Sequence, residues 1–370
     1  MVLCELLHID KSMLPIFILL LAFAMRSEGG SPCPPREDLY PCSCVNIPIS
    51  KKTQHTLVIC HKLQDSQELA NLARPLRTMQ VDQFHVYDSF WNEAGGKGGF
   101  FPSDWMTTFR VKEWEIVDTK LASDFACRWK PPCKNTITTR VALKNSTGDR
   151  FDPSCLTKEN PKQYFPWIGC LGRLQNLQVS GTPLDKLGND VFPVEMKAFV
   201  SLNLTRNHIT SVDPKALAKL TSLASLDLSH NALQYIDFLG QSKRLQYVDL
   251  SWNYIKTIGG PIFKSLPVLK IFKIESNEIV DLKEDDWKGV ASTLWEVDLS
   301  ENPLHCDCSI QFINSTFHVS AIVIGSCSSP EEYEGSMLRR ASRFLVERCD
   351  ESGNIGTRAK KLPTTPMAKG

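Results

Sequence analysis

Apolar residues recur along the second half of the chain in a fixed pattern, L-x-x-L-x-L-x-x-N-x-L. It reads Phe199, Leu202, Leu204, Asn207, Ile209, and again Leu223, Leu226, Leu228, Asn231, Leu233. Next come Leu245, Val248, Leu250, Asn253, Ile255, and then Leu269, Phe272, Ile274, Asn277, Ile279. Leu294, Val297, Leu299, Asn302, Leu304 closes the series. Leu174, Leu177, Val179, Thr182, Leu184 precedes it, with threonine in the asparagine place. The spacings are 25, 24, 22, 24 and 25 residues. A self-similar period of about 20–29 residues predicts a stacked solenoid.

Each place in the pattern has a physical reason. The L-x-L segment alternates with period two, which predicts a short strand with apolar residues inward and the intervening residues outward. Successive repeats would stack these strands in parallel into one curved sheet on the concave side. The chain must then bend sharply, leaving backbone groups inside the bend. An asparagine amide has two donors and an acceptor to satisfy them, and stacking would align these side chains into a ladder. Asn207, Asn231, Asn253, Asn277 and Asn302 are the predicted ladder. The rest of each repeat returns along the outside. One repeat cannot bury its own apolar face, so stability comes from its neighbours.

Upstream the pattern fades. Val111, Trp114, Ile116, Thr119, Leu121 is a fair match, with threonine in the asparagine place. Thr138, Val141, Leu143, Ser146 and Leu76, Met79, Val81 are weaker. The gaps of 35, 27 and 36 residues predict irregular repeats carrying insertions. One insertion, 94–99, is glycine-rich. Phe100, Phe101 and Pro102 follow it where a phosphate-binding loop needs a helix, so it reads as a flexible loop. The other, 128–170, carries several prolines and most of a cysteine group that would pin it to the solenoid.

Composition sets the compartment. The chain has 370 residues, with Lys plus Arg at 42 and Asp plus Glu at 41. That balance gives neither nucleic acid nor a membrane surface an electrostatic hold. Leu14 to Met25 is an uncharged apolar run after Lys11, followed by small and polar residues. At about 12 residues it falls short of the ~20 that span a bilayer, and it reads as a signal peptide starting at Met1 or Met13. The mature chain is expected to be secreted. Cys4 lies in the signal region. The other twelve cysteines form three groups: Cys33, Cys42, Cys44, Cys60; Cys127, Cys133, Cys155, Cys170; and Cys306, Cys308, Cys327, Cys349. Even groups in an exported chain read as disulfides. His61 and His305 adjoin cysteines, but the spacing of a zinc knuckle is lacking.

No nucleophile elbow, metal-binding helix or phosphate loop is present, so no enzyme, cofactor or metal is expected. What remains is the outward row of the strands. Its middle column reads Gln178, Asn203, Asp227, Asp249, Lys273, Asp298, with Glu115 upstream. Tyr247 and Trp252 lie near its centre. Aromatic residues in polar surroundings are typical interface anchors. Tyr247, Asp249, Trp252, Asp227, Lys273 and Asp298 are therefore the candidate binding residues, for a protein or glycan partner. Asn145, Asn203 and Asn314 are glycosylation sequons. The organisation expected is a signal peptide (1–30), an N-terminal cysteine cap (31–62), irregular repeats (63–173), regular repeats (174–305), a C-terminal cysteine cap (306–349) and a disordered basic tail (350–370).

An open solenoid exposes its core at both ends and needs caps. The string Asn302-Pro303-Leu304-His305-Cys306-Asp307-Cys308, with Ile310, Phe312 and Ile313 and two later cysteines, resembles the C-terminal cysteine module of extracellular leucine-rich-repeat proteins. The resemblance implies an α/β leucine-rich-repeat solenoid with disulfide-bonded caps, pairing Cys306 with Cys327 and Cys308 with Cys349. At the N-terminus it implies Cys33 with Cys44 and Cys42 with Cys60. The string CPPREDLYPCSC and the irregular first half resemble, more narrowly, an arthropod family similar to the non-catalytic subunit of Oplophorus luciferase. That family implies a binding protein or a stabilising subunit of a secreted enzyme, with the chemistry on another chain.

Overall fold

The computed structural model describes residues 33–50, 53–64, 66–76, 79–89, 109–119, 137–146, 168, 171–189, 191–192, 194–259 and 261–349. The apolar N-terminal run, the glycine-rich loop, most of the 128–170 insertion, its cysteine group and the basic tail lie outside them.

The array opens on a short helix, α1 (Arg36–Leu39), and an antiparallel hairpin, β1 (Cys42–Pro48) with β2 (Gln54–His61). From β2 onward every pairing in the main sheet is parallel, as one-way winding of repeats requires. The helix α2 (Ser66–Leu76) leads to β3 (Gln80–Tyr87), β4 (Arg110–Val117), β5 (Arg140–Lys144) and β6 (Asn176–Ser180). The regular half adds β8 (Ser201–Asn203), β10 (Ser225–Asp227), β11 (Tyr247–Asp249), β12 (Ile271–Lys273) and β13 (Glu296–Asp298), and β14 (Ile322–Ile324) ends the row. Among the described residues these twelve strands form one sheet. Two further strands, β7 (Lys186–Leu187) and β9 (Ser211–Val212), pair separately.

The inward row is continuous. Phe84, Trp114, Val141, Leu177, Leu202, Leu226, Val248, Phe272 and Val297 stand opposite one another from strand to strand, all essentially inaccessible. Each such side chain contributes about 2 kcal/mol through burial. Aromatic rings thicken the core where the return segments are long. Phe84 packs on Trp114 at 4.7 Å, and Trp287, ending α3 (Glu284–Trp287), stacks on Phe263 at 5.3 Å.

This register corrects one expectation. Phe84 faces Trp114, so the repeat on β3 is Val81, Phe84, Val86, Ser89 rather than Leu76, Met79, Val81. Leu76 ends α2 and is buried there. The L-x-x-L spacing of Leu76 and Met79 imitates the repeat, while the real one carries serine in the asparagine place.

The bend ladder spans both halves. Asn231 Oδ1 accepts the amides of Asn207 and Ile209, both at 3.0 Å. Asn253, Asn277 and Asn302 accept from Leu233, Ile255 and Ile279. Asn207 accepts from Thr182. Upstream, hydroxyls take the same post: Ser146 Oγ accepts from Thr119 and Ser89 Oγ from Leu63.

At the C-terminal end α4 (Ile313–Thr316) and α5 (Leu338–Val346) close the core, with Leu338, Ala341 and Leu345 buried. Gly325 permits the closure. Its φ is +144°, and a Cβ there would lie 2.9 Å from Leu338 Cδ1 and 3.2 Å from Leu299 Cβ. Disulfides join Cys306 to Cys327, Cys308 to Cys349, Cys33 to Cys44 and Cys42 to Cys60.

Candidate functional site

Four of the three-residue strands, β8, β10, β11 and β13, stop where a side chain ends them. Asn203, Asp227, Asp249 and Asp298 each accept a hydrogen bond from the amide two residues on, at Thr205, Ser229, Ser251 and Ser300. An Asx side chain bonded this way turns the backbone out of the ladder. Three of the candidate binding residues thus have a structural task first. Asp298 is almost wholly committed to it. It is buried, and Ser300 gives its Oδ1 both the amide and the hydroxyl.

Within three residues of the end of each main-sheet strand from β3 to β13 the chain passes through a left-handed residue. In the irregular half these are Asp88, Asp118, Asn145 and Gly181, types that tolerate the conformation. In the regular half they become Arg206, His230, Trp252, Ser276 and Glu301. Non-glycine residues there cost about 1–2 kcal/mol of backbone strain. Trp252 sits at φ +59° and is 54% exposed, so it belongs to the surface and not to the turn's core. Its ring stacks on His230, centroids 5.4 Å apart and planes 11° from parallel.

Tyr247 lies half-buried on the outward row and donates its hydroxyl to Asp249 Oδ2 at 3.0 Å. Burial, then the Asp249 carboxylate, pushes the phenol well above its ordinary range. Asp227 bonds Asn203 and Ser229. Lys273, opposite Asp249 in the sheet, stands 3.6 Å from Glu296. Partial burial and then Asp298 raise the pKa of Glu275, with Asp249 adding to the effect. Five of the six candidates therefore lie at least partly open on one face of β10 to β13 and its exit, and Asp298 is buried at its edge.

The same face in the irregular half is charged and already paired. Tyr87 and His85 share a hydrogen bond, His85 lies 3.7 Å from Glu115, and Glu115 is held by Lys144. Burial lowers the pKa of His85, partly offset by Glu115. Burial pushes Glu115 upward, but Lys144 outweighs it and the net shift is down. Of this group the sequence pattern marked only Glu115, because the misplaced register of β3 hid His85 and Tyr87. Trp295 was also missed. It lies before the strand, 66% exposed, with the Lys270 ammonium 5.0 Å over its ring.

The three sequons differ. Asn145 is exposed. Asn203 donates to Asp227 at 2.6 Å. Asn314 donates to the Arg339 carbonyl at 2.8 Å and accepts from the Arg339 guanidinium, tying α4 to α5. Among the described residues no helix is long and apolar enough to cross a membrane.

Comparison with known proteins agrees with this geometry. The leucine-rich-repeat family model matches residues 172–233. Leucine-rich repeat-containing protein 3 of Danio rerio is 29% identical over 158 residues, covering 41% of this chain and 49% of that protein. Nephrocan of Mus musculus is 24% identical over 180 residues, covering 48% of this chain and 34% of that protein. The chain thus spans half or less of the length of these curated relatives. A chain in the octameric complex of Latrophilin 3, Unc5D and FLRT2 (LRR) superposes with a TM-score of 0.51 at 17% identity, covering 76% of this chain and 87% of that one. The protein is a leucine-rich-repeat protein with disulfide-bonded caps.

Proposed function

We propose that this protein is a secreted, non-catalytic binding protein that holds a protein partner on the open face of β10 to β13. The observation carrying the reading is Trp252. A large ring is kept on strained backbone and in solvent, stacked on His230, at the exit of the strand that Tyr247 opens. Exposed aromatic residues among polar neighbours are what partner surfaces anchor on. The structural neighbour in the Latrophilin 3, Unc5D and FLRT2 assembly supports a protein partner. The four disulfides among the described residues support export.

The test is the double substitution Tyr247→Ala, Trp252→Ala, assayed with a partner isolated by pull-down from the source tissue. Truncating two anchors costs about 2 kcal/mol or more, so binding should weaken at least tenfold. Secretion and thermal unfolding should change little, because Trp252 is exposed. Unaltered affinity in a folded double variant would overturn the reading.

A narrower reading follows from the resemblance of CPPREDLYPCSC to the luciferase-subunit-like proteins: the solenoid as the stabilising subunit of a secreted enzyme. Size-exclusion chromatography of the native protein separates the two. A constant co-eluting enzyme favours the subunit, and a protein eluting free of any enzyme favours the independent binder. A glycan ligand on the same face is the remaining form of the first reading.

A further inference from the structure

Charge on the open face is uneven. Across β10 to β13 and their exits the carboxylates are Asp227, Asp249, Glu275, Glu296, Asp298 and Glu301, and the ammonium group is Lys273, which lies beside Glu296. The irregular half differs, because Glu115 there has Lys144 and Glu113 has Arg140. The crowding is felt at Glu275, which is pushed toward its protonated form by burial and by Asp298 and Asp249.

A second observation lies at the same place. Ser229 and Ser300 give their hydroxyls to Asp227 and Asp298. Ser251, the equivalent residue after Asp249, is 3% exposed, and its Oγ has no hydrogen-bond partner. The Ser251 hydroxyl is closed to solvent, so it belongs to the turn and no partner group reaches it. Asp249 already receives the Tyr247 hydroxyl and the Ser251 amide. Trp252 follows directly, and its amide donates to the Glu275 carbonyl at 2.9 Å, so ring and carboxylate belong to adjacent turns.

An exposed indole next to a run of carboxylates with one ammonium group among them fits one kind of group. A guanidinium is planar, stacks on aromatic faces and forks onto carboxylates. The molecule contains a version of the contact already, in Lys270 over Trp295. We propose that Trp252, Asp249 and Glu275 receive an arginine side chain carried by the protein partner. This rests on the protein-binding reading above and adds the chemistry of its central contact.

The test uses the full chain and three defined probes: an acetylated Gly-Arg-Gly amide, the matching Gly-Gln-Gly amide, and a neutral trisaccharide. The readout is the indole N–H resonance of Trp252, identified by its loss in Trp252→Phe. The arginine peptide should shift it saturably, and Glu275→Gln should weaken that binding roughly fivefold or more. The glutamine peptide and the saccharide should leave it in place. The inference is overturned by no saturable shift with the arginine peptide, by an equal shift with the glutamine peptide, by unchanged affinity in Glu275→Gln, or by saturation with the saccharide. The two readings fail separately. If the Tyr247→Ala, Trp252→Ala variant loses its partner while the arginine peptide gives no shift, only the arginine contact is lost. If that variant binds its partner normally, the protein-binding reading fails as well.

Discussion

Asn231→Ala is expected to destabilise the protein by about 3 kcal/mol or more, and Asn253→Ala by about 1–3 kcal/mol. The difference comes from which groups lose their only partner. Asn231 Oδ1 accepts two buried amides, Asn207 and Ile209. Asn253 Oδ1 accepts one, Leu233. The carbonyls on the donor side of Asn253 stay covered when it is removed. Leu228 keeps Asn231, Leu250 keeps Asn277, and Ser251 keeps the His230 amide. Asn253→Ala then strands one group, the Leu233 amide, whereas Asn231→Ala strands three, the Asn207 and Ile209 amides and the Leu204 carbonyl. Chemical denaturation of the two variants side by side checks the order. Equal losses, or none, would remove the ladder as the source of bend stability.

Cys308→Ser should cost about 4 kcal/mol and reduce secretion sharply. The bond to Cys349 closes a loop with a sequence separation of 41 residues, and the entropy of opening such a loop sets the magnitude. It also fastens the end of α5 to the start of the cap, where Ile310 and Phe312 meet Leu338, Ala341 and Leu345 over the last repeat. Secreted yield and unfolding midpoint are the measurements. A Cys308→Ser protein secreted at the normal level with an unchanged midpoint would show that the cap closes without its bridge.

How much of this was legible depended on side-chain chemistry repeating in register. The regular half announces itself because leucine and asparagine recur together, and the structure places Leu226, Val248 and Phe272 opposite one another as the pattern requires. The irregular half hides because its bends use Ser89, Thr119, Ser146 and Thr182. A hydroxyl can accept the one amide that matters, as Ser89 does from Leu63, without leaving an asparagine to find. Serine and threonine are too common for a single one to set a register, and Leu76 with Met79 supplied a false one. The face was read by column and its composition was recovered. Single residues do not show how Asp227, Asp249 and Asp298 divide between ending strands and facing solvent, since that depends on which amide lies within reach. Trp295 stands in the position just before the strand, where the pattern assigns no role.

The main sheet is built by one-way winding. Its strands run in parallel without a break from β2 to β14, so equivalent side chains are ruled at a constant interval of about 4.8 Å. Any surface gripping several strands at once must repeat its own groups in time with that ruling. An α-helix laid across the strands advances about 5.4 Å per turn and drifts by only about 2 Å over three intervals. An extended segment, whose side chains recur on one side every ~6.8 Å, is out of step after the first. The sheet therefore sorts approaching surfaces by pitch as well as by charge.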